Sequence, residues 1–261
     1  MMNREYQEIP LQRLESTHSN IASECIVQES IIALHCLGMD GELQPYTTLL
    51  GTPTRVRELH AGHLFSEGLT RDIPILDLIQ VGTVDGKVNS HYNSIIIEPL
   101  ENRLVTTSCG ACNHPDLSVD HIHGIPNSVS QNLSHPELLH ALDFMRSKMD
   151  LFKKTGGCHG AALLDSDGNV AYVSEDIGRH NAVDKTIGLA LFSGILAFNE
   201  YTLLLSGRCG WDIVAKATRI GISSIASVGA FSSAALDLAR ANGISLYGFV
   251  RETGAWKAGI N

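Results

Sequence analysis

The second half of the chain alternates short apolar runs with segments of helical periodicity, and this alternation limits the possible folds more than any other feature. Strands are predicted at 161–164, 170–173, 202–206, 223–228 and 244–250, and helices at 181–192, 212–220 and 232–241. The first two strands flank a turn at residues 165–169 and should form a hairpin. Strands joined by helices of about ten residues form a sheet with helices on both faces, so the α/β class is predicted.

The first half is richer in strand patterns. Strands are predicted at 25–27, at 31–37 and within 75–105. A proline-containing turn at Thr52 predicts a helix that ends at Gly68, and Ser134 with Glu137 forms a capping box for a second helix. We therefore expect a loosely held polar arm over residues 1–20, a smaller β-rich α+β part over 21–130 and a C-terminal α/β part over 131–261.

Charge and cysteine content exclude several classes of protein. The 19 basic and 28 acidic residues give a net charge of −9, which argues against a broad nucleic-acid-binding face. No run approaches the roughly 18 apolar residues of a membrane helix, and no apolar run follows the first residues as in a secretory leader. Six cysteines in 261 residues are too few for a disulfide scaffold, so a reducing cytoplasm is expected.

Two cysteines, Cys109 and Cys112, are separated only by a glycine and an alanine. The thiolate is the reactive form of cysteine, and a second thiol three residues away can stabilise, trap or resolve chemistry on the first. The pair is compatible with a metal site, a disulfide cycle or a sulfur carrier. With His121 and His123 it would complete a Cys₂His₂ zinc site or serve a dithiol redox protein. Zinc deaminases need proline before the first cysteine, where this chain has Ser108, so deaminase chemistry is disfavoured.

The loops at the predicted strand ends are rich in glycine and arginine. Glycine lets backbone amides approach a ligand, and helix N-termini attract anions. Arg179, Arg208 and Arg251 each lie at a strand end, where ligands bind in open α/β sheets, and guanidinium groups suit phosphate or pyrophosphate. These loops therefore predict an anion-binding cleft. Its candidate residues are Gly156, Gly157, His159, Arg179, His180, Ser206, Gly207 and Arg208.

The motifs occur in one order along the chain. They are the cysteine loop 106–114, then 155–159, 175–185 and 246–251, and the stretch 62–68 precedes them. This set resembles the formate dehydrogenase accessory sulfurtransferases, the FdhD family, over about residues 22–254. The motif at 175–185 beside a Cys-x-x-Cys loop is highly specific, whereas Cys-x-x-Cys alone is not. The resemblance implies a cytoplasmic homodimer whose C-terminal domain has a cytidine-deaminase-like α/β fold.

The resemblance also implies a function. The protein would accept persulfide sulfur from a cysteine desulfurase and pass it to the molybdenum bis(molybdopterin guanine dinucleotide) cofactor of formate dehydrogenase. Cys109 would carry the persulfide, Cys112 would be its partner, and GDP would bind as an analogue of the cofactor. The guanine dinucleotide segment falls on Phe249, Val250, Arg251, Glu252, Thr253 and Gly254. The chain departs from the family at Asn113, where glycine is common, and in the tail after residue 254.

Polar residues of the 175–185 motif suggest further roles. His180 and Asp184 are four residues apart on one predicted helix face, so the carboxylate could orient the imidazole, or the pair could be a helix-terminal interaction without chemistry. The motif favours a role in the cofactor site. Glu175 and Asp176 could orient Arg179, accept hydrogen bonds from guanine, or be ordinary turn carboxylates. The remaining cysteines, Cys25, Cys36, Cys158 and Cys209, are predicted to be small residues that pack in the core.

Overall fold

The computed structural model describes residues 5–16, 19–70, 72–84, 87–96, 103–104 and 132–259. Its strands are β1 (Tyr6–Leu14), β2 (Ser19–Val27), β3 (Ser30–Leu37), β4 (Leu43–Gly51), β5 (Ile79–Val84), β6 (Lys87–Ile95), β7 (Arg103–Leu104), β8 (His159–Leu164), β9 (Val170–Asp176), β10 (Thr202–Leu205), β11 (Ser224–Ser227), β12 (Ser245–Arg251) and β13 (Gly254–Ala258). Its helices are α1 (Val56–Ser66), α2 (His135–Ser147), α3 (Asp150–Thr155), α4 (Arg179–Phe192), α5 (Trp211–Ile220) and α6 (Ser233–Ala241), with a 3₁₀ turn at Leu76–Leu78.

A six-stranded mixed sheet forms the C-terminal half, in the order β13-β12-β11-β10-β8-β9. Strands β10, β11 and β12 are parallel, and β8 and β13 join them antiparallel. Side chains alternate between two cores: Ala161 and Leu163 of β8 face α4 and α5, whereas Ala162 and Leu164 face α2. The predicted α/β sheet with helices on both faces is confirmed.

A five-stranded sheet, in the order β5-β6-β3-β4-β7, forms the N-terminal half. Its inner face buries Ile32, Leu34 and Leu49 beneath α1. The two halves share one core, because α1 packs along α4. A methyl group added to Gly62 would overlap the backbone of Asp184, and one added to Gly188 would overlap the backbone of α1, so the close approach of these helices requires glycine at both positions.

A buried ionic network crosses the junction between the halves. Lys216 of α5 binds the Asp184 carboxylate at 2.8 Å and the Glu67 carboxylate at 2.7 Å, and the Ser66 hydroxyl donates to Asp184 at 2.7 Å. Burial opposes ionisation, but Lys216 is the main cause that lowers the pKa of both Asp184 and Glu67. The network therefore links α1 to α4 and α5 by charge as well as by apolar contact.

The N-terminal segment differs from its prediction. The sequence predicts a loosely held arm up to about residue 20, but β1 pairs with β2 over nine residues in an antiparallel hairpin. A boundary at residue 20 would cut β2. Period-2 apolar alternation is weak here because most hairpin side chains are exposed, which is why the pattern was missed. The division of the whole chain into separate domains stays a prediction.

The helices that the sequence predicts are all present, but their first and last residues differ from the prediction by a few positions. The capping box at Ser134 and Glu137 is confirmed, with the Glu137 carboxylate accepting from the Ser134 amide at 2.7 Å. Helix α3 and strand β13 were not predicted, since six and five residues are too short to show a period. Among the described helices, none is long and apolar enough to cross a membrane.

Candidate functional site

Most of the predicted site residues lie at one end of the strands of the C-terminal sheet, in a row of strand ends that we call the edge. The parallel strands β10, β11 and β12 end there, and β8 begins there because it runs antiparallel to β10. His159, the first residue of β8, pairs with Asp176, the last residue of β9. Helices α4 and α5 also begin at this edge, each after a glycine without a side-chain cap. The strand ends from His159 to Arg251, which are 92 positions apart in the sequence, therefore lie in one row.

Backbone hydrogen bonds connect this row into a continuous edge. The Ser206 amide donates to the Gly160 carbonyl at 3.0 Å, and the Gly160 amide donates to the Ser206 hydroxyl at 2.8 Å. The Gly229 amide donates to Gly207 at 3.1 Å, and the Phe249 amide donates to Gly229 at 2.9 Å. The loops that carry His159, Ser206 and Phe249 are thereby held in fixed order along the edge.

Positive charge concentrates at the β8 end of the edge. Burial lowers the pKa of His159, and the neighbouring guanidinium groups of Arg179 and Arg208 lower it further. The imidazole also lies close to Gly207, where an added methyl group would come within 3.0 Å of His159 Nδ1. Arg208 is exposed, whereas the Nε of Arg179 is buried and has no hydrogen-bond partner among the described residues. Four residues of the predicted anion-binding cleft therefore lie near one another at a site that suits an anion: His159, Arg179, Gly207 and Arg208.

His180 is oriented by a carboxylate, but not by the predicted one. Its Nε2 contacts the carboxylate of Asp212 at the start of α5, whereas Asp184 is committed to Lys216, Ser66 and His63. The prediction of a His180–Asp184 pair was therefore wrong. The two helix starts bring His180 and Asp212 together, which a periodicity argument within one helix could not anticipate. In the part of the chain that the structure describes, the buried Nδ1 of His180 has no hydrogen-bond partner, and burial lowers the pKa of the imidazole.

The two carboxylates of the same motif have structural roles. Glu175 accepts from the first amides of α3, Leu151 N at 3.0 Å and Phe152 N at 2.7 Å, and so caps that helix. Asp176 pairs with the fully buried Lys185 at 2.6 Å and also accepts from the Thr52 amide. Neither carboxylate is paired with Arg179 among the described contacts, so the suggested orienting role was wrong.

The segment 249–254 frames a pocket of about 390 Å³ at the β12–β13 end of the edge. The pocket is lined by Phe249, Arg251, Thr253, Gly254, Ala255 and Trp256. Two members of the predicted segment do not line it: the Val250 side chain is 2% exposed and belongs to the core beside α2, and Glu252 is exposed outside the lining. Alternation along the strand explains why Val250 faces inward.

Two predicted glycines lie away from the basic cluster. Gly156 ends α3 in the left-handed conformation, which favours glycine at a helix end. Gly157 is exposed, and a methyl group there would approach Val27 of the hairpin at 3.0 Å. Among the described residues, Gly156 therefore ends a helix and Gly157 lies against the β1–β2 hairpin.

The cysteine loop and its histidines are not among the described residues. This applies to Cys109, Cys112, His121 and His123, so the choice between carrier, disulfide and zinc chemistry is not tested by the geometry. In the described part of the chain, no group of three or more His, Cys, Asp or Glu side chains is arranged to hold a metal ion.

The other cysteines match their predicted packing roles where they are buried. Cys36, Cys158 and Cys209 are buried free thiols, and Cys25 is half-buried in the hairpin. Burial raises the pKa of both Cys158 and Cys209, and the hydrogen bond to Glu175 raises that of Cys158 further. A thiol with a raised pKa is a poor nucleophile, so neither is a sulfur-transfer candidate.

Two residues of this edge were missed from the sequence. The sequence predicts Asp212 only as a helix start, although an acidic residue two positions after the Gly-rich turn at 207–210 is a usable signal. No site role is predicted for Trp256, which lies in the tail after residue 254. A tryptophan two residues after Gly254 is the sequence signal that would have identified it, and the structure shows that this residue is 71% exposed.

The fold and this edge define a mixed α/β protein that presents a basic strand-end row and an aromatic pocket. Comparison with known families identifies it further. The sequence profile of the FdhD/NarQ family matches residues 27–256, and the chain belongs to that family.

Relatives named sulfur carrier protein FdhD are similar over most of their length. The protein of Picrophilus torridus is 37% identical over 210 residues, which cover 79% of each chain, and that of Streptomyces avermitilis is 38% identical over 226 residues, covering 80% of this chain and 79% of the relative. The protein of Thermoplasma acidophilum is 36% identical, covering 88% of this chain and 83% of the relative. A candidate formate dehydrogenase accessory protein from Desulfotalea psychrophila has a similar fold, with a TM-score of 0.73, 20% identity and 97% of both chains covered.

Proposed function

We propose that this protein is a sulfur carrier that acts as a sulfurtransferase for formate dehydrogenase. It takes persulfide sulfur from a cysteine desulfurase onto Cys109 and delivers it to the molybdenum bis(molybdopterin guanine dinucleotide) cofactor, which is its bound substrate. The observation that supports this most strongly is the family match over residues 27–256, whose named relatives are sulfur carriers. On this proposal the protein works in the cytoplasm as a homodimer and meets both the desulfurase and formate dehydrogenase.

The loading step is a thiol exchange. The Cys109 thiolate attacks the outer sulfur of the donor persulfide, a new S–S bond forms on Cys109, and the desulfurase cysteine leaves as its thiolate. No net oxidation occurs, because the sulfane sulfur passes from one cysteine to another. Cys112 then either shields this persulfide or displaces hydrosulfide from it by forming a disulfide with Cys109.

The pocket at the end of β12 fits the nucleotide part of the substrate. Arg251 offers a guanidinium for phosphate, and Phe249 offers an aromatic ring, 40% exposed, for a base. The β8 end of the edge adds Arg179, Arg208 and His159, which suit further anionic groups of a large dinucleotide. Both groups of residues lie on one edge, so one extended ligand could contact them together.

Mass spectrometry tests the sulfur-carrier role. Incubation with a cysteine desulfurase and cysteine should add about 32 Da, one sulfur atom, to the intact protein. Cys109→Ala should abolish the adduct, whereas Cys25→Ala, which removes a half-buried thiol of the hairpin, should keep it. An adduct that persists in Cys109→Ala would refute the assignment. If Cys112 releases the sulfur, Cys112→Ala should accumulate the adduct and fail to release hydrosulfide.

Thermal unfolding tests the nucleotide pocket. GDP at about 100 times its dissociation constant should stabilise the protein by about 2.7 kcal/mol, a rise of several degrees in Tm. Arg251→Ala should reduce this rise, and Arg146→Ala on the exposed face of α2 should not. An unchanged Tm at millimolar GDP would contradict nucleotide binding.

A further inference from the structure

Trp256 is unusually exposed for its type. Its side chain is 71% exposed on β13, the edge strand of the C-terminal sheet, although tryptophan is ordinarily well covered. In the β12–β13 pairing it lies opposite Gly248, which has no side chain to pack against the indole. The described part of the chain therefore leaves most of this indole open to contact with a ligand.

The backbone around this pocket is shaped to present a second ring. The register of β12 and β13 shifts between Gly248 and Arg251, and Phe249 within that bulge has φ of 53°. A left-handed backbone is costly for phenylalanine. Here the hydrogen bond that the Phe249 amide donates to the Gly229 carbonyl helps to stabilise it. Bulges of this kind change the direction of a side chain at an edge. The Phe249 ring, 40% exposed, is thereby placed in the lining that also contains Trp256.

The chemistry of the lining selects a particular class of ligand. Two exposed aromatic rings attract a flat π system, and the Arg251 guanidinium in the same lining attracts an anion. A nucleotide has both parts. Stacking grows with the area of the overlapping rings, so a two-ring purine gains more from two aromatic partners than a one-ring pyrimidine.

We propose that Trp256, together with Phe249, forms a stacking surface for the purine base of the bound nucleotide, and that Trp256 sets a preference for purine over pyrimidine nucleotides. The proposal rests on the nucleotide pocket of the proposed function and assigns a residue outside the segment 249–254. It gives Trp256 a role in recognition of the base, while Arg251 recognises phosphate.

Tryptophan fluorescence tests this directly, because the chain has two tryptophans in different environments. Trp211 is 9% exposed and Trp256 is 71% exposed, so excitation at a wavelength selective for indole reports both. Trp256→Phe leaves only the buried indole, and Trp211→Phe leaves only the exposed one. GDP and CDP are the probes, and calorimetry gives their dissociation constants independently of fluorescence.

The expected results are specific. GDP should quench the emission of the wild type and of Trp211→Phe, and should leave the emission of Trp256→Phe unchanged. Trp256→Ala should weaken GDP binding on the order of tenfold and shrink the preference for GDP over CDP, whereas Trp256→Phe should keep most of both. Lys257→Ala, the next residue on β13, is the matched control and should retain both the affinity and the quenching.

Two outcomes would overturn the proposal, and they differ. If calorimetry shows GDP binding but Trp256→Ala binds GDP and CDP as the wild type does, the stacking role of Trp256 is wrong and the pocket assignment stands. If the wild type binds no GDP by calorimetry, the nucleotide pocket itself is wrong and the stacking proposal fails with it. Should Trp211→Phe not fold, the comparison of wild type with Trp256→Phe still decides the origin of the quenching.

Discussion

At the residue scale, the buried histidines couple stability to pH. Burial lowers the pKa of His60 well below its usual value, and the neighbouring His63, His35 and His91 lower it further. The unfolded chain therefore takes up a proton at about pH 6.5 that folded His60 does not bind. Stability should fall as pH falls below that value, by up to about 1.4 kcal/mol per pH unit for this one residue.

Urea unfolding between pH 7 and pH 5 measures this coupling. His60→Asn should lower stability overall, since it empties part of a buried site, but should flatten its dependence on pH. His140→Asn on the exposed face of α2 should leave the slope unchanged. Equal slopes in wild type and His60→Asn would show that another group titrates.

The buried Asp176–Lys185 pair makes a second prediction. Both side chains are fully buried, and removing the ammonium leaves an unpaired carboxylate in the core. Lys185→Met should cost about 3–5 kcal/mol in the free energy of unfolding. Lys153→Met removes the ammonium of an exposed pair with Asp150 and should change stability by less than about 1 kcal/mol. A similar loss in both variants would argue against an uncompensated charge.

Residue roles were predictable only where a local pattern decides them. The capping box at Ser134 and the burial of Cys36 follow from neighbouring residues alone. The partner of His180 does not, because Asp212 is 32 residues away and reaches it through the meeting of two helix starts. The same reason explains why Glu175 was linked to a ligand when it caps a six-residue helix that the sequence pattern does not reveal.

At the element scale, the contact between α1 and α4 depends on two glycines. Ordinarily alanine would improve a helix by about 1 kcal/mol relative to glycine. At Gly62 the added methyl group would meet the Asp184 carbonyl, so Gly62→Ala should instead destabilise, by about 1–3 kcal/mol or more. Gly82→Ala is the control, since a methyl group there meets no described atom within 4 Å. Urea unfolding of both variants measures the difference, and a stabilised Gly62→Ala would contradict the close packing.

Elements were predicted well where they are long and buried. The helix predicted at 181–192 and the strands at 202–206 and 244–250 agree with α4, β10 and β12 to within a few residues. Only the end of β2, at residues 25–27, was predicted for the β1–β2 hairpin, because its exposed side chains leave little apolar alternation. Strand β13 was not predicted, because a five-residue edge strand resembles a turn region.

At the scale of the whole molecule, one core joins residues from both halves. Removal of residues 1–130 would expose the face of α4 that packs on α1 and would leave Lys216 without Glu67. We therefore expect a fragment of residues 131–261 to lack cooperative unfolding, as judged by circular dichroism during a urea titration. The full chain should unfold in one transition seen alike by circular dichroism and by fluorescence. A cooperative fragment would show that the C-terminal part is an independent domain.

The ionic network at that junction also bears on how the chain is made. Ser66 donates to Asp184 and accepts from Lys216, which lies 150 positions later in the sequence. At roughly 5–20 residues per second, a ribosome needs on the order of 10–30 s to supply that lysine after the serine has been synthesised. During this interval the nascent N-terminal half carries the Glu67 carboxylate without its final counter-ion. Commitment to the native state must therefore wait until translation is nearly complete.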